Sequence, residues 1–181
     1  MKGYLLSGLE NAMLEREMGE IGMQLYVNEM ESPLGKLYLG VSEVAVKYIA
    51  YDEASFLDVG ADFSVEENEM MRQLKVDLQA FFDGAIQTFT VPLEVSGTDF
   101  QMRVWQALQE IPYGEVVSYK EIAEAAGSPK AVRAVGQANR ANPIPIIIPC
   151  HRVIQAGGKL GGYNGDDVDR KIWLLNREMP F

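Results

Sequence analysis

The chain has one cysteine and one histidine in 181 residues, and these two scarcities exclude a good deal. A single thiol cannot close an internal disulfide, so the fold owes nothing to an oxidising compartment. One Cys and one His cannot make a four-ligand Cys/His zinc cluster either, and no metal is expected. No apolar run is long enough to span a bilayer. Residues 1–20 carry four glutamates where a secretory signal would carry a basic and then an apolar region. The expectation is a soluble protein of a reducing cytoplasm, with no membrane partner. Positive charge is also scarce: 16 Lys+Arg stand against 26 Asp+Glu, a net charge of −10. Taken globally, that balance argues against binding nucleic acid by bulk attraction.

The distribution of charge along the chain points the other way. Residues 1–100 hold 6 Lys+Arg against 18 Asp+Glu, whereas residues 101–163 hold 7 against 4. One half is strongly acidic and the other locally basic, as expected if only one domain meets a polyanion.

Hydrophobic residues make up 48% of the chain, enough for real cores. Residues 1–22 read as an N-terminal extension without an assigned role. Residues 23–30, 35–41 and 44–51 read as short strands, with Ser32-Pro33-Leu34-Gly35 as a hairpin turn, so the sheet should be antiparallel. Ser64 to Glu67 has the capping-box pattern, and Met70, Leu74, Leu78 and Phe81 recur at helical spacing until Gly84. Residues 23–95 are thus predicted to form a small α/β domain.

In residues 96–181 the pattern becomes helical. Thr98 to Gln101 is a second capping box, opening a helix that buries Phe100, Val104, Ala107 or Leu108, and Ile111 and stops at Pro112-Tyr113-Gly114. Ser118 to Glu121 is a third, starting a short helix through Ala126. Gly127-Ser128-Pro129 should then turn into another helix, with Ser128 as cap and Pro129 at its first position. Two short helices across a tight turn read as a helix-turn-helix. On the second, Val132, Val135 and Asn139 fall on one side and Lys130, Arg133, Gln137 and Arg140 on the other. Its small residues Ala131, Ala134, Gly136 and Ala138 suit close approach to a narrow groove better than base readout in the major groove. A last helix over 167–178 should turn Val168, Ile172 and Leu175 inward and pack Trp173 on its own half. The fold class is α/β of the α+β kind: an antiparallel-sheet domain with a helix, then a mostly helical domain.

The only cysteine stands directly beside the only histidine, in Ile148-Pro149-Cys150-His151-Arg152-Val153. Thiolate is the nucleophilic form of cysteine, and an adjacent imidazole that takes its proton supplies it near neutral pH. The bland alternative is a small buried hydrophobe. Adjacency alone does not decide, because successive side chains of a strand point to opposite faces; the pair cooperates only if the chain turns or a water bridges them. Pro143, Pro145 and Pro149 stiffen the segment, and Pro149 favours such a turn.

This string resembles the active-site signature of the methylated-DNA–protein-cysteine methyltransferases, the O6-alkylguanine-DNA alkyltransferases. The resemblance extends over Phe100 to Tyr119, Gly127 to Pro143, Gly161-Gly162-Tyr163-Asn164-Gly165 and Trp173-Leu174-Leu175-Asn176-Arg177-Glu178, and more loosely over the segment from Ser32 to Leu39. It implies DNA repair by direct, stoichiometric transfer of the O6-alkyl group of guanine to Cys150, in one irreversible turnover without a cofactor. His151 is then the base, acting through a bridging water, Glu178 orients and charges the imidazole, and Asn142 braces the active-site turn. Tyr119 bonds the guanine. Arg133 enters the stack in place of the flipped base, and Ser118, Tyr119, Lys130, Ala134, Gln137 and Arg140 meet double-stranded DNA in its minor groove. Trp105, Val153, Tyr163 and Asn164 line the substrate pocket; many relatives carry serine where this chain has Asn164. A monomer is expected. Activity on O4-alkylthymine is left open. Two other classes fit parts of the pattern: a Cys-His hydrolase, which would turn over, and a noncatalytic lesion-binding module, which would lack the nucleophilic cysteine.

Overall fold

The computed structural model describes residues 25–54, 63–160 and 167–179. The first chain segment folds as an antiparallel meander, β1 (Leu25–Ser32), β2 (Gly35–Val41) and β3 (Val46–Ala50). Ser32 pairs with Gly35 across the turn, and Gly35 has φ +92°, which its lack of a side chain permits. A further strand that the sequence does not announce, β4 (Phe63–Ser64), joins the edge in parallel beside β1 and gives the order β3-β2-β1-β4. Two residues are too few to show periodicity.

One face of this sheet is closed by α1 (Glu69–Asp83), which buries Met71, Leu74, Leu78, Phe81 and Phe82 against Leu37, Leu39 and Val41. The predicted capping box at Ser64 is not the helix start. Asn68 is the N-cap, accepting from Met71 N at 2.9 Å, while Ser64 Oγ accepts locally from Glu66 N. Gly84 ends α1 in the left-handed conformation, in keeping with its position after the apolar run.

The second segment contains α2 (Asp99–Gln109), β5 (Val117–Ser118), α3 (Tyr119–Ala125), α4 (Val132–Arg140), a 3-10 turn (Cys150–Arg152), β6 (Val153–Ile154) and α5 (Val168–Glu178). Capping boxes form at Thr98 with Gln101 and at Ser118 with Glu121, where the sequence places them. Ser128 does not cap α4. Its N–H closes α3 on Ala123 O, and its carbonyl accepts from Ala131 N, so Pro129 and Lys130 form a turn and α4 begins at Val132. Val132 is correspondingly exposed, and the buried face of α4 is Val135, Ala138 and Asn139.

The last helix is phased differently from the apolar pattern. Lys171, Leu174, Leu175 and Glu178 face inward, whereas Val168 and Ile172 are each 37% exposed. Counting polar residues as outward-facing fails here because both charged side chains find buried partners. Trp173 also departs from expectation, packing edge-on against Phe82 of α1 at 5.7 Å instead of on its own half. The α5 helix further reaches the first half through Arg170, which donates to Leu34 O and stacks over Tyr51, and Arg177, which donates to Phe81 O. The buried apolar cluster runs without a break from the sheet through α1 to α2, α4 and the Ile144–Ile148 segment.

Candidate active site

The segment after α4 bends sharply at Cys150 and His151. Ile148 N donates to Ile144 O, and Cys150 N donates to Ile148 O across Pro149, an inverse γ-turn with φ −83° and ψ 61°. The chain then tightens into the 3-10 turn carrying Cys150, His151 and Arg152. Ile146 holds φ +77°, rare for a β-branched side chain and costing on the order of 1–3 kcal/mol, which the surrounding packing must over-determine.

Asn142 ties this bend together. Its Nδ2 donates to Ile148 O at 2.8 Å and to Cys150 Sγ at 3.1 Å, while its Oδ1 accepts from Ile144 N at 3.0 Å. One amide thus closes the turn and holds the sulfur. Burial pushes the Cys150 thiol up to about 11, against the Asn142 hydrogen bond and the positive charge of Lys171. Ionising to solvent is therefore disfavoured, and a proton acceptor inside the site is needed.

His151 is fully buried, and its Nε2 lies 2.7 Å from Glu178 Oε1. The carboxylate can only accept, so Nε2 carries the proton and exchange with a thiol falls to Nδ1. Burial holds the imidazole below its usual range, while Glu178 pulls the other way. Arg152 grips the same carboxylate from Nε at 2.8 Å and Nη2 at 3.0 Å, and donates from Nη1 to Ile111 O. Burial alone would raise Glu178, but the hydrogen bonds from His151 and Arg152 outweigh it and hold the carboxyl at about 2. It remains a carboxylate throughout the neutral range. In the sequence Arg152 stands only as part of the signature; its role as the counter-cation of Glu178 depends on a fold contact no spacing reveals.

Tyr119 heads α3, where β5 pairs in parallel with β6 and so brings it alongside the turn that follows Cys150. Burial, then the charge of Cys150, raises its phenol, which keeps its proton. Ser118 is the α3 cap. Arg133, Ala134, Gln137 and Arg140 are placed on α4, with exposed Lys130 just before it. Two predicted pocket residues are placed in the core: Trp105 is 2% exposed with Nε1 on Ala138 O at 2.9 Å, and Val153 is fully buried in β6. Tyr163 and Asn164 lie outside the described residues. A cleft of about 530 Å³ has Tyr113, Ile146, Ile147, Pro149 and Arg152 in its walls, but not Cys150. Among the described residues no cluster of His, Cys, Asp and Glu could hold a metal, and no helix is long and apolar enough to cross a membrane.

Sequence reasoning misses Lys171, which is completely buried and donates from Nζ to Val153 O and Leu160 O, each at 2.6 Å. A lysine on an otherwise amphipathic helix gives no sign of this.

A sulfur held by an amide, with an imidazole–carboxylate pair one residue on, sits here on a frame that also carries a helix-turn-helix. Together these define a class of protein with a buried cysteine beside an imidazole–carboxylate pair and two short helices joined by a tight turn. Residues 99–180 match the family model for the DNA-binding domain of 6-O-methylguanine DNA methyltransferase. The methylated-DNA–protein-cysteine methyltransferase of Methanosarcina acetivorans is 46% identical over 85% of this chain and 98% of its own. The constitutive enzyme of that name from Bacillus subtilis is 44% identical over 84% of this chain and 94% of its own. Among solved structures, Mycobacterium tuberculosis O6-methylguanine methyltransferase superposes with a TM-score of 0.74 at 41% identity, covering 85% of this chain and 92% of that one. Mycobacterium tuberculosis OGT in complex with DNA gives 0.74 at 40% identity, over 87% and 96%. The chain belongs to the methylated-DNA–protein-cysteine methyltransferase family.

Proposed function

We propose that this protein repairs DNA by moving the alkyl group of O6-alkylguanine onto Cys150 Sγ, once per molecule. The observation that carries this reading is the thiol held by Asn142 beside a His151–Glu178 pair whose carboxylate stays ionised. Passing the thiol proton to His151 Nδ1 through a bridging water exchanges charge within the site, so the buried sulfur need not ionise to bulk solvent, and Glu178 stabilises the imidazolium that results. The thiolate then attacks the sp3 carbon in line. The S–C bond forms as the C–O6 bond breaks, its electron pair passes to guanine O6, and the purine takes up one proton. Tyr119, kept protonated by burial, is a suitable donor to the leaving base. The product thioether has no hydrolytic exit, so the protein is consumed.

A thiol this buried cannot reach an alkyl carbon inside a stacked duplex, and the base must leave the stack. We assign DNA contact to residues 96–181, through the minor groove. Gly136 favours the groove assignment: a methyl there would find its nearest neighbour, Tyr119 Cε1, at 4.0 Å, so internal crowding does not demand glycine. Arg133 is the residue to fill the vacated stack, and Tyr163 and Asn164 are assigned to the lesion pocket by resemblance alone. We assign the protein to the cytoplasm, acting as a monomer without a cofactor.

The test is incubation with duplex DNA holding one O6-methylguanine, followed by intact-protein mass measurement. One CH2 unit should be gained, on the peptide containing Cys150, with at most one methyl removed per protein. Cys150→Ser should bind DNA and transfer nothing. Repeated turnover, or transfer by the serine variant, would defeat the reading.

A further inference from the structure

Lys171 is a charged side chain with no exposed surface, and the two hydrogen bonds found for its ammonium go to backbone carbonyls. Burying an ammonium against neutral carbonyls is expensive, and burial lowers its pKa to about 8. A methionine of similar length would fill the same space without that penalty. The position of the two carbonyls is informative. Val153 directly follows the Cys150–Arg152 turn, and Leu160 directly precedes the 161–166 segment. Between them the chain doubles back, with Gln155 N donating to Lys159 O and Gly158 N to Gln155 O. The ammonium therefore fastens both ends of one excursion that starts at the nucleophile.

Charge around the thiol points to the same residue. The titratable and charged groups there are His151 and Arg152 on its own turn, Tyr119 on α3, and Lys171 and Glu178 on α5. Glu178 is engaged by His151, Arg152 and the Gly114 N–H. Cys150 is the acidic group whose charge acts on Lys171, and Lys171 in turn acts on the thiol.

We propose that Lys171 is a positioning residue for the transfer, pinning the 153–160 excursion at both ends and holding a buried positive charge that favours the Cys150 thiolate. This rests on the transfer reading above. Charge and hydrogen bonding at position 171 are then separable contributions.

Three variants of the full chain divide them: Lys171→Arg keeps the charge, Lys171→Gln keeps a donor without charge, and Lys171→Met keeps neither. Each is compared by thermal melting, by duplex binding, by methyl transfer in a single turnover, and by the rate of Cys150 alkylation with iodoacetamide from pH 6 to 9. Removing an opposite charge near an ionisable group displaces it by a pH unit or more, so iodoacetamide should react about tenfold slower with the Gln and Met variants at pH 6 to 7, and the difference should close toward pH 9 as the Lys171 ammonium of the parent deprotonates above about 8. Lys171→Arg should stay within about threefold of the unsubstituted protein, since charge is what this readout follows. Transfer should fall in the order Arg, Gln, Met, with duplex binding unchanged. Folded Gln and Met variants with unaltered iodoacetamide profiles would overturn the proposal, whatever their transfer rates. Should Lys171→Met fail to fold, the Arg and Gln pair decides the matter alone. Failure of the unsubstituted protein to accept methyl would instead refute the transfer reading and leave the iodoacetamide comparison standing.

Discussion

Glu178 accepts hydrogen bonds from His151, from Arg152 and from the Gly114 N–H, so one carboxylate couples the imidazole to the turn after α2. The stability consequence follows from the direction of its shift. The carboxyl lies at about 2 in the fold against 4.5 without it, so its contribution is complete above the unfolded value and is lost as pH falls from there toward about 2. Glu178→Gln should therefore flatten the acid limb of the stability curve in that window, as followed by chemical denaturation at a series of pH values. It should also slow methyl transfer by about a hundredfold, because the imidazolium loses its counter-charge. An acid limb and transfer rate identical to those of the parent protein would remove Glu178 from the relay.

At the scale of elements, the turn between α2 and β5 is set by Gly114, which has φ +77° and would bring a Cβ to 3.2 Å from Glu178 O. Gly114→Ala combines a left-handed conformation with that close approach and should cost about 1–2 kcal/mol in denaturant melts, with a parallel loss of transfer. A neutral substitution would mean the turn relaxes freely. On α4, Arg133→Ala should slow repair of duplex DNA at least about tenfold while sparing reaction with free O6-benzylguanine, since a residue that fills a vacated stack has no task once the base is free. Equal losses on both would make Arg133 structural. Elements of this kind are readable where local chemistry suffices: Thr98 and Ser118 cap their helices because their oxygens need only an N–H three residues on. Ser64 and Ser128 carry the same letters but sit where the backbone has other partners, so Asn68 caps α1 and α4 starts late. Cys150, His151 and Asn142 are legible from one short string. Arg152 as counter-cation, Lys171 and the inward phase of α5 are not, because each depends on carbonyls or carboxylates far away in sequence.

For the whole molecule, the acidic first half and basic second half imply that DNA meets few phosphate-binding cations. Raising salt should weaken duplex binding with a log–log slope of about −2 to −4, with little dependence on base sequence, measured by fluorescence anisotropy. A steep slope or a strong consensus would require a larger or more specific footprint than α4 provides. Within the fold, α5 is the element everything else waits for. It reaches the sheet through Arg170, the end of α1 through Arg177, and the buried imidazole through Glu178, which follows His151 by 27 positions. During synthesis, Cys150 is consequently joined to the chain before Glu178, the carboxylate proposed to complete its relay. The nascent chain then carries a thiol without its finished partner, and competence to react arrives only after α5 has docked.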